Sequence, residues 1–489
     1  MNGTIRKSML IAAIAGLAQG SDGAVIGWNN AAGGSTGSAA NWNPAVVPAS
    51  TDTMFFGLPG TYTVTNSPTT PTSDTTNFAN GNVTFVTTRT HGTDLCFVGT
   101  SSSPVTLNLT SGTFSARQCN VAVTVNNTAT MNVTGPTAIF RQPVGGILRV
   151  GYGGNGTLNV TNGGRVLDVS SMTVGLDTNT TGIVTVSGAG SAVEIASAGV
   201  AQLTVGHLGS GTVSIVNGGN LDLQGLATLA LMPGSTGTVN VSSSVAGVDS
   251  TFSLTHNLNI GRIDTPPGAN AGTGLLVCGD GGTVTAAAAT LVGDPDGGTG
   301  TLRIDGGSFT TQSISFAPGS GVLDFRDGML TVNGGVFSSP TPTLQLAGAT
   351  SADQSTLQLT GGASLSGVDV LLLGAPTSRR GGLIVTTGST ANMTSALQID
   401  QNGVAIATGA GARISAFDSM ILGVTAGGTL HLFGGAQGAT GTVLLAPNIG
   451  SVGVFLVESI GTRHDCERLF VGGNASGTAG GQARFDVSE

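Results

Sequence analysis

The chain reads as all-β: a single-stranded right-handed parallel β-helix (β-solenoid) of roughly 14 coils, opened by an N-terminal cap. Three observations predict it. Apolar residues alternate with polar ones in short segments, as in Leu158 and Val160, Val213 and Ile215, Val239 and Val241, Leu302 and Ile304, and Leu430 and Leu432. A period of two is the pattern of a strand with one buried face, so Asn159, Ser214, Asn240, Arg303 and His431 form an outward polar row. The segments also recur in fixed order. Leu148-Arg149-Val150-Gly151, Gly156-Thr157-Leu158-Asn159-Val160 and Gly163-Gly164-Arg165-Val166 return from Leu203 to Leu221 and from Leu291 to Phe309. Finally, Gly-Gly and Asn-Gly pairs punctuate the strands, as turns with positive φ require, and no helical stripe interrupts them.

Weaker copies begin near Met172, Leu258, Leu371 and Leu469. Units of roughly 20 to 30 residues cannot bury their own apolar face and must stack. A propeller blade needs about 40 residues and usually a recurring aromatic, so that architecture is excluded.

Along the chain, residues 1–20 read as an export signal, with Arg6-Lys7, the apolar run Met9 to Ala18, and a cleavage point near Gly20 or as late as Ala24. The apolar run is too short to span a bilayer, and no later segment reads as transmembrane. The expected location is extracellular or at the cell surface. Residues 21–90 read as the cap and first coils, since both tryptophans, Trp28 and Trp42, fall there. Residues 91–489 form the array. Leu469-Phe470-Val471-Gly472-Gly473-Asn474 opens a fresh repeat that Glu489 leaves unfinished, so self-association through an uncapped terminal coil is one expected contact. Cell-envelope or matrix components are the other expected partners.

Charged residues are only 8% of the chain, and its net charge is −9. Without residues 1–20, 14 basic residues face 25 acidic ones, a net charge of −11. Beyond residues 1–20 the sequence has no basic cluster except Arg379-Arg380, which argues against nucleic acid as a partner. Cys96 and Cys119 lie 23 residues apart, close to one coil. Stacked on adjacent coils, their Cα atoms would be about 5 Å apart, so they form either a disulfide or two buried thiols. Cys278 and Cys466 are too far apart in the stack to bridge.

Several motifs are weighed for chemistry. Gly151-Tyr152-Gly153-Gly154-Asn155-Gly156 spells a dinucleotide loop, but strand rather than helix follows it. Gly33-Gly34-Ser35-Thr36-Gly37 spells a nucleophile elbow within linker-like sequence, and His91 has no evident claim to partner Ser35. Asp294 and Asp296 begin a calcium loop that then lacks its later ligands, leaving weak calcium binding as the one cofactor expectation. Asp324, Arg326 and Asp327 are the best catalytic candidates, because acids, or an arginine base, on one outer face could act on a polysaccharide. His464-Asp465-Cys466-Glu467-Arg468 reads as a charged loop. Past the cap, Tyr62 and Tyr152 alone represent Trp and Tyr, so a sugar groove lacks its usual stacking floor.

The run Ala40-Asn41-Trp42-Asn43-Pro44 through Val47-Pro48, Asp52 and Phe55-Phe56, followed by the repeats, resembles secreted bacterial proteins with autotransporter-associated β-strand repeats. The resemblance implies a β-helix and a surface or exported structural role. Many such proteins end in a membrane barrel or a sorting tail, and the sequence up to Glu489 matches neither pattern. The functional expectation is a non-enzymatic, exported structural or adhesion-type passenger. The alternatives are a polysaccharide lyase or hydrolase using Asp324 and Asp327, and a weakly calcium-dependent adhesin.

Overall fold

The computed structural model describes residues 23–66, 72–197, 199–261, 272–375, 379–473 and 480–488, so the expected export signal lies outside it. The fold is an all-β parallel β-solenoid of about 17 turns. The only helix among the described residues is the short 3-10 turn Ala39–Asn41. The sequence suggested roughly 14 coils. Coiling begins within residues 21–90, expected to hold the cap and first coils. Val25–Trp28 already stacks parallel on Thr53–Phe56, and that strand on Ser73–Phe78.

The alternation predicted from sequence is the alternation of burial. Leu158, Val160, Val213, Ile215, Val239, Val241, Leu302, Ile304, Leu430 and Leu432 are all fully buried. Each side chain packs on the residue in register one coil away, as Leu158 does between Met131 and Val184.

The chain forms two compact units, residues 1–201 and 202–489. In the first, the core is aromatic. Trp42 meets Trp28 edge-on at 5.0 Å and packs on Phe56, which stacks on Phe78 at 5.0 Å. His91, Phe114 and Phe140 form a column of register partners. Trp42 is 1% exposed, and its indole N–H donates to the carbonyl of Thr36 at 2.8 Å. The loop from Trp28 to Trp42 thus lays two large rings over the first coil and satisfies both indoles, since Trp28 donates to the carbonyl of Asn30.

The columns of the second unit are mostly aliphatic, with Phe252, Phe309, Phe337 and Phe455 buried among them. Leu276 pairs with Leu302, and Leu302 with Leu323. Coil length varies widely here, because Arg303 pairs with Asp324 whereas Asn220 pairs with Thr251. Long strands such as Thr299–Phe316 pass from one face to the next through a register shift between Ile304 and Ser308. That shift turns a corner without breaking the ladder.

Candidate functional site

The outer faces carry the polar chemistry, and stacking decides what each group can do. In the first unit, Asn108 donates to Asn82 at 2.7 Å, Asn132 to Asn108 at 2.7 Å, and Asn159 to Asn132 at 2.9 Å. The amides spend their hydrogen bonds along the stack. This ladder was visible in sequence only as outward Asn159; its continuity depends on register.

Asp324 lies on strand Gly321–Asn333 beside a small cavity of about 520 Å³. Its carboxylate accepts from Arg303 at 2.7 Å, one coil away, and from Arg326 at 3.0 Å, two residues along the same face. Arg326 also lies 3.7 Å from Asp305. Partial burial alone would raise the Asp324 carboxyl, but the hydrogen bonds and charges of Arg326 and Arg303 outweigh it and hold it below its ordinary range. A carboxyl held ionised by two guanidinium groups is a poor general acid. Asp327 faces a different task, accepting from the backbone N–H of Gly328 at 2.7 Å and of Gln354 at 2.9 Å. The three candidates are therefore neighbours in sequence without being a catalytic constellation.

Asp294 is buried, and its carboxylate accepts from the N–H of Asp296 at 2.8 Å, closing a turn between coils. Among the described residues, no group of three or more His, Cys, Asp or Glu side chains could hold a metal ion. Cys96 and Cys119 are register partners, as their spacing predicted, but both are buried free thiols. The Cys119 thiol, together with burial, pushes Cys96 well up. Cys278 is likewise buried and unbridged, its thiol pushed up to about 12 by burial.

The two loop motifs are structural. In Gly151–Gly156 the amides of Gly151, Gly153 and Gly154 donate to carbonyls of Val121 and Ala122 on the preceding coil. No amide cradle remains for a phosphate. A Cβ on Gly156 would lie 2.2 Å from the nitrogen of Gly151, so close chain approach explains that glycine. Ser35 accepts from the N–H of Gly37 at 3.2 Å, whereas His91 is buried against Phe85 and Phe114 with its Nε2 3.2 Å from the Thr76 hydroxyl.

One concavity was missed in sequence. A groove of about 1030 Å³ follows the corner where strands Arg413–Leu422, Gln437–Leu445 and Arg463–Val471 turn. Arg413, Phe417, Asp418, Asp465, Glu467 and Arg468 line it, and Phe417 is 79% exposed. The segment expected to be a charged loop is therefore strand, and its polar residues border this groove. The missed signal was Phe417-Asp418, two residues that break the alternation of their strand. The adjoining thiol, Cys466, is pushed up by burial and by Asp465, so it stays protonated and is a weak nucleophile. His464 is pushed down to about 4 by burial, and both its ring nitrogens lack a hydrogen-bond partner. The Asp400 carboxylate accepts four hydrogen bonds. Burial would raise it, but the Thr425 amide and hydroxyl and the Ala426 and Gln401 amides hold it down.

No helix among the described residues is long and apolar enough to cross a membrane. No protein family, curated protein or solved structure matches the chain.

Proposed function

We propose that this protein is a non-enzymatic, exported β-solenoid scaffold, a structural or cell-surface component of the kind its repeats resemble. The observation that carries the reading is that outward polar groups are consumed by one another. The Asn82–Asn108–Asn132–Asn159 ladder and the Arg303–Asp324–Arg326 cluster satisfy themselves along the stack. Side chains so engaged stiffen the array and leave little free for a reaction.

Purified protein incubated with a broad glycan panel tests this reading. The expected result is no released product, and no difference between the parent chain and an Asp327→Ala variant. Product release that Asp327→Ala abolishes would establish the polysaccharide-acting alternative. Export is tested by N-terminal sequencing of protein recovered outside the producing cell, with a start between Ser21 and Val25 expected.

A second reading concerns the Phe417 groove, where an exposed ring beside Asp418, Asp465 and Glu467 offers an apolar platform with acceptors. That combination suits weak carbohydrate adhesion. Loss of glycan-array binding in Phe417→Ala is its expected sign.

A further inference from the structure

The ladder of the second unit parts inside the stack, with coils on both sides of the gap. Gly321–Phe325, the start of strand Gly321–Asn333, pairs in register with Gly300–Ile304 on one edge. The rest of that strand, Gly328–Asn333, also pairs on its other edge, with Ser355–Thr360. Thr343–Leu346 pairs with Val370–Leu373. Among the described residues, no strand pairs with the edge of Gly321–Phe325 away from Gly300–Ile304, or with the edge of Thr343–Leu346 away from Val370–Leu373. Both strands border the cavity of about 520 Å³, which Val322, Leu323, Asp324, Phe325, Leu344 and Gln345 line.

The sequence explains why the next rung does not form. The lead-in Pro340-Thr341-Pro342 carries two residues without an N–H, so it offers the preceding coil few donors. The Pro342 carbonyl faces the later coil instead, accepting from the amides of Asp369 at 2.7 Å and Val370 at 3.1 Å. One end of the slot is closed. There the Ala349 N–H donates to the Arg326 carbonyl at 2.7 Å and the Ser355 hydroxyl to the Phe325 carbonyl at 3.1 Å. The floor is apolar and incompletely covered: Leu302 and Ile304 are fully buried, whereas Leu323 and Phe325, next in the same columns, are only half-buried.

Two unpaired strand edges over an apolar floor are a template for an added strand. The columns dictate its inward residues: aliphatic side chains two positions apart, seated on Leu323 and Phe325 as those sit on Leu302 and Ile304. Its outward residues are polar and uncharged. Beside the slot Asp324 is already shared between Arg303 at 2.7 Å and Arg326 at 3.0 Å, so a charged neighbour would lose hydration against ions that are paired without it. We propose that this slot takes an extended peptide segment of a partner protein, with alternating aliphatic and uncharged polar residues, as an added strand hydrogen-bonded to both edges. The inference adds a partner to the scaffold reading and depends on neither export nor the absence of catalysis.

The chain's own segment Gly156–Thr161, Gly-Thr-Leu-Asn-Val-Thr, has this pattern and serves as the probe. Fluorescence anisotropy of the labelled peptide titrated with the full chain should show saturable binding with a dissociation constant below about 1 mM. Replacing both the Leu and the Val of the peptide by Asp should weaken it by at least about tenfold. Hydrogen exchange of the parent chain then locates the contact, with slower exchange expected in Gly321–Asp324 and Thr343–Leu346 when the peptide is bound. Leu323→Asp, which sets a charge in the floor, should also weaken binding by at least about tenfold, with far-UV circular dichroism checking its fold. Should that variant fail to fold, the exchange pattern of the parent decides alone. Absence of saturable binding would overturn the proposal, as would protection that falls elsewhere on the chain or a folded Leu323→Asp variant that binds like the parent.

Discussion

The first coil of the first unit and the final coil of the second are made of the same strand pattern and differ in what lies beyond them. Over Phe56 the chain folds back two tryptophans, each with its indole N–H satisfied. Over Phe455 it places Phe485, whose outer side meets no further layer among the described residues. A solenoid strand thus carries only half of its own stability. The other half belongs to the next coil, or to whatever stands in for it.

The sharpest way to break this comparison is to truncate one ring at each place. Trp42→Ala removes a fully buried ring and is expected to cost about 3–5 kcal/mol. Phe485→Ala removes a half-exposed one and should cost under ~1 kcal/mol in dilute protein. Urea unfolding followed by tryptophan emission reports the first case, since Trp28 is then the only tryptophan left. Far-UV circular dichroism reports the second. Equal costs for the two variants would erase the contrast.

Acid probes the same difference. Burial pushes His91 down to about 4 from its ordinary 6.5, so the fold favours its neutral form. The stability this confers is fully present above about pH 6.5 and is lost as pH falls towards 4, a change of up to ~3 kcal/mol. His91→Phe, which keeps an aromatic side chain between Phe85 and Phe114, is expected to remove most of that loss when urea midpoints at pH 7 and pH 4 are compared. Asp400 acts in a lower window: its depressed carboxyl contributes stability above about pH 4 that disappears only on further acidification.

The smallest effects lie on the outer faces between these extremes. Asn132→Ala breaks two rungs of the amide ladder and should cost about 1–2 kcal/mol. Asp324→Asn, on a part-exposed ion cluster, should change the urea midpoint by less than about 1 kcal/mol equivalent. A larger loss at Asp324 than at Asn132 would make the charge cluster, rather than the ladder, the stiffer part of the outer surface.

Much of the coil was legible in the sequence because strand alternation is local. Leu158 and Val160 declare their burial without knowledge of any neighbour, and the Gly-rich turns mark where each strand ends. The spacing of Cys96 and Cys119 likewise predicted their stacking in register, but left open whether they form a disulfide or two thiols. The Phe417 groove was hidden because it depends on two residues that interrupt an otherwise regular strand and on the corner formed by three successive coils.

By itself, then, the sequence determined the strand period, the inward residues and the parallel solenoid they imply. Tertiary structure alone decided which outward groups meet: that Arg303 reaches Asp324, that Asp327 serves the backbone of Gln354, and that Asn132 continues a ladder. The reason is register. Turn lengths vary from coil to coil, so a side chain's partner one layer away is fixed only when the stack has formed. The exposure of Phe485 follows from the same cause, because burial in a solenoid is supplied by the neighbouring coil.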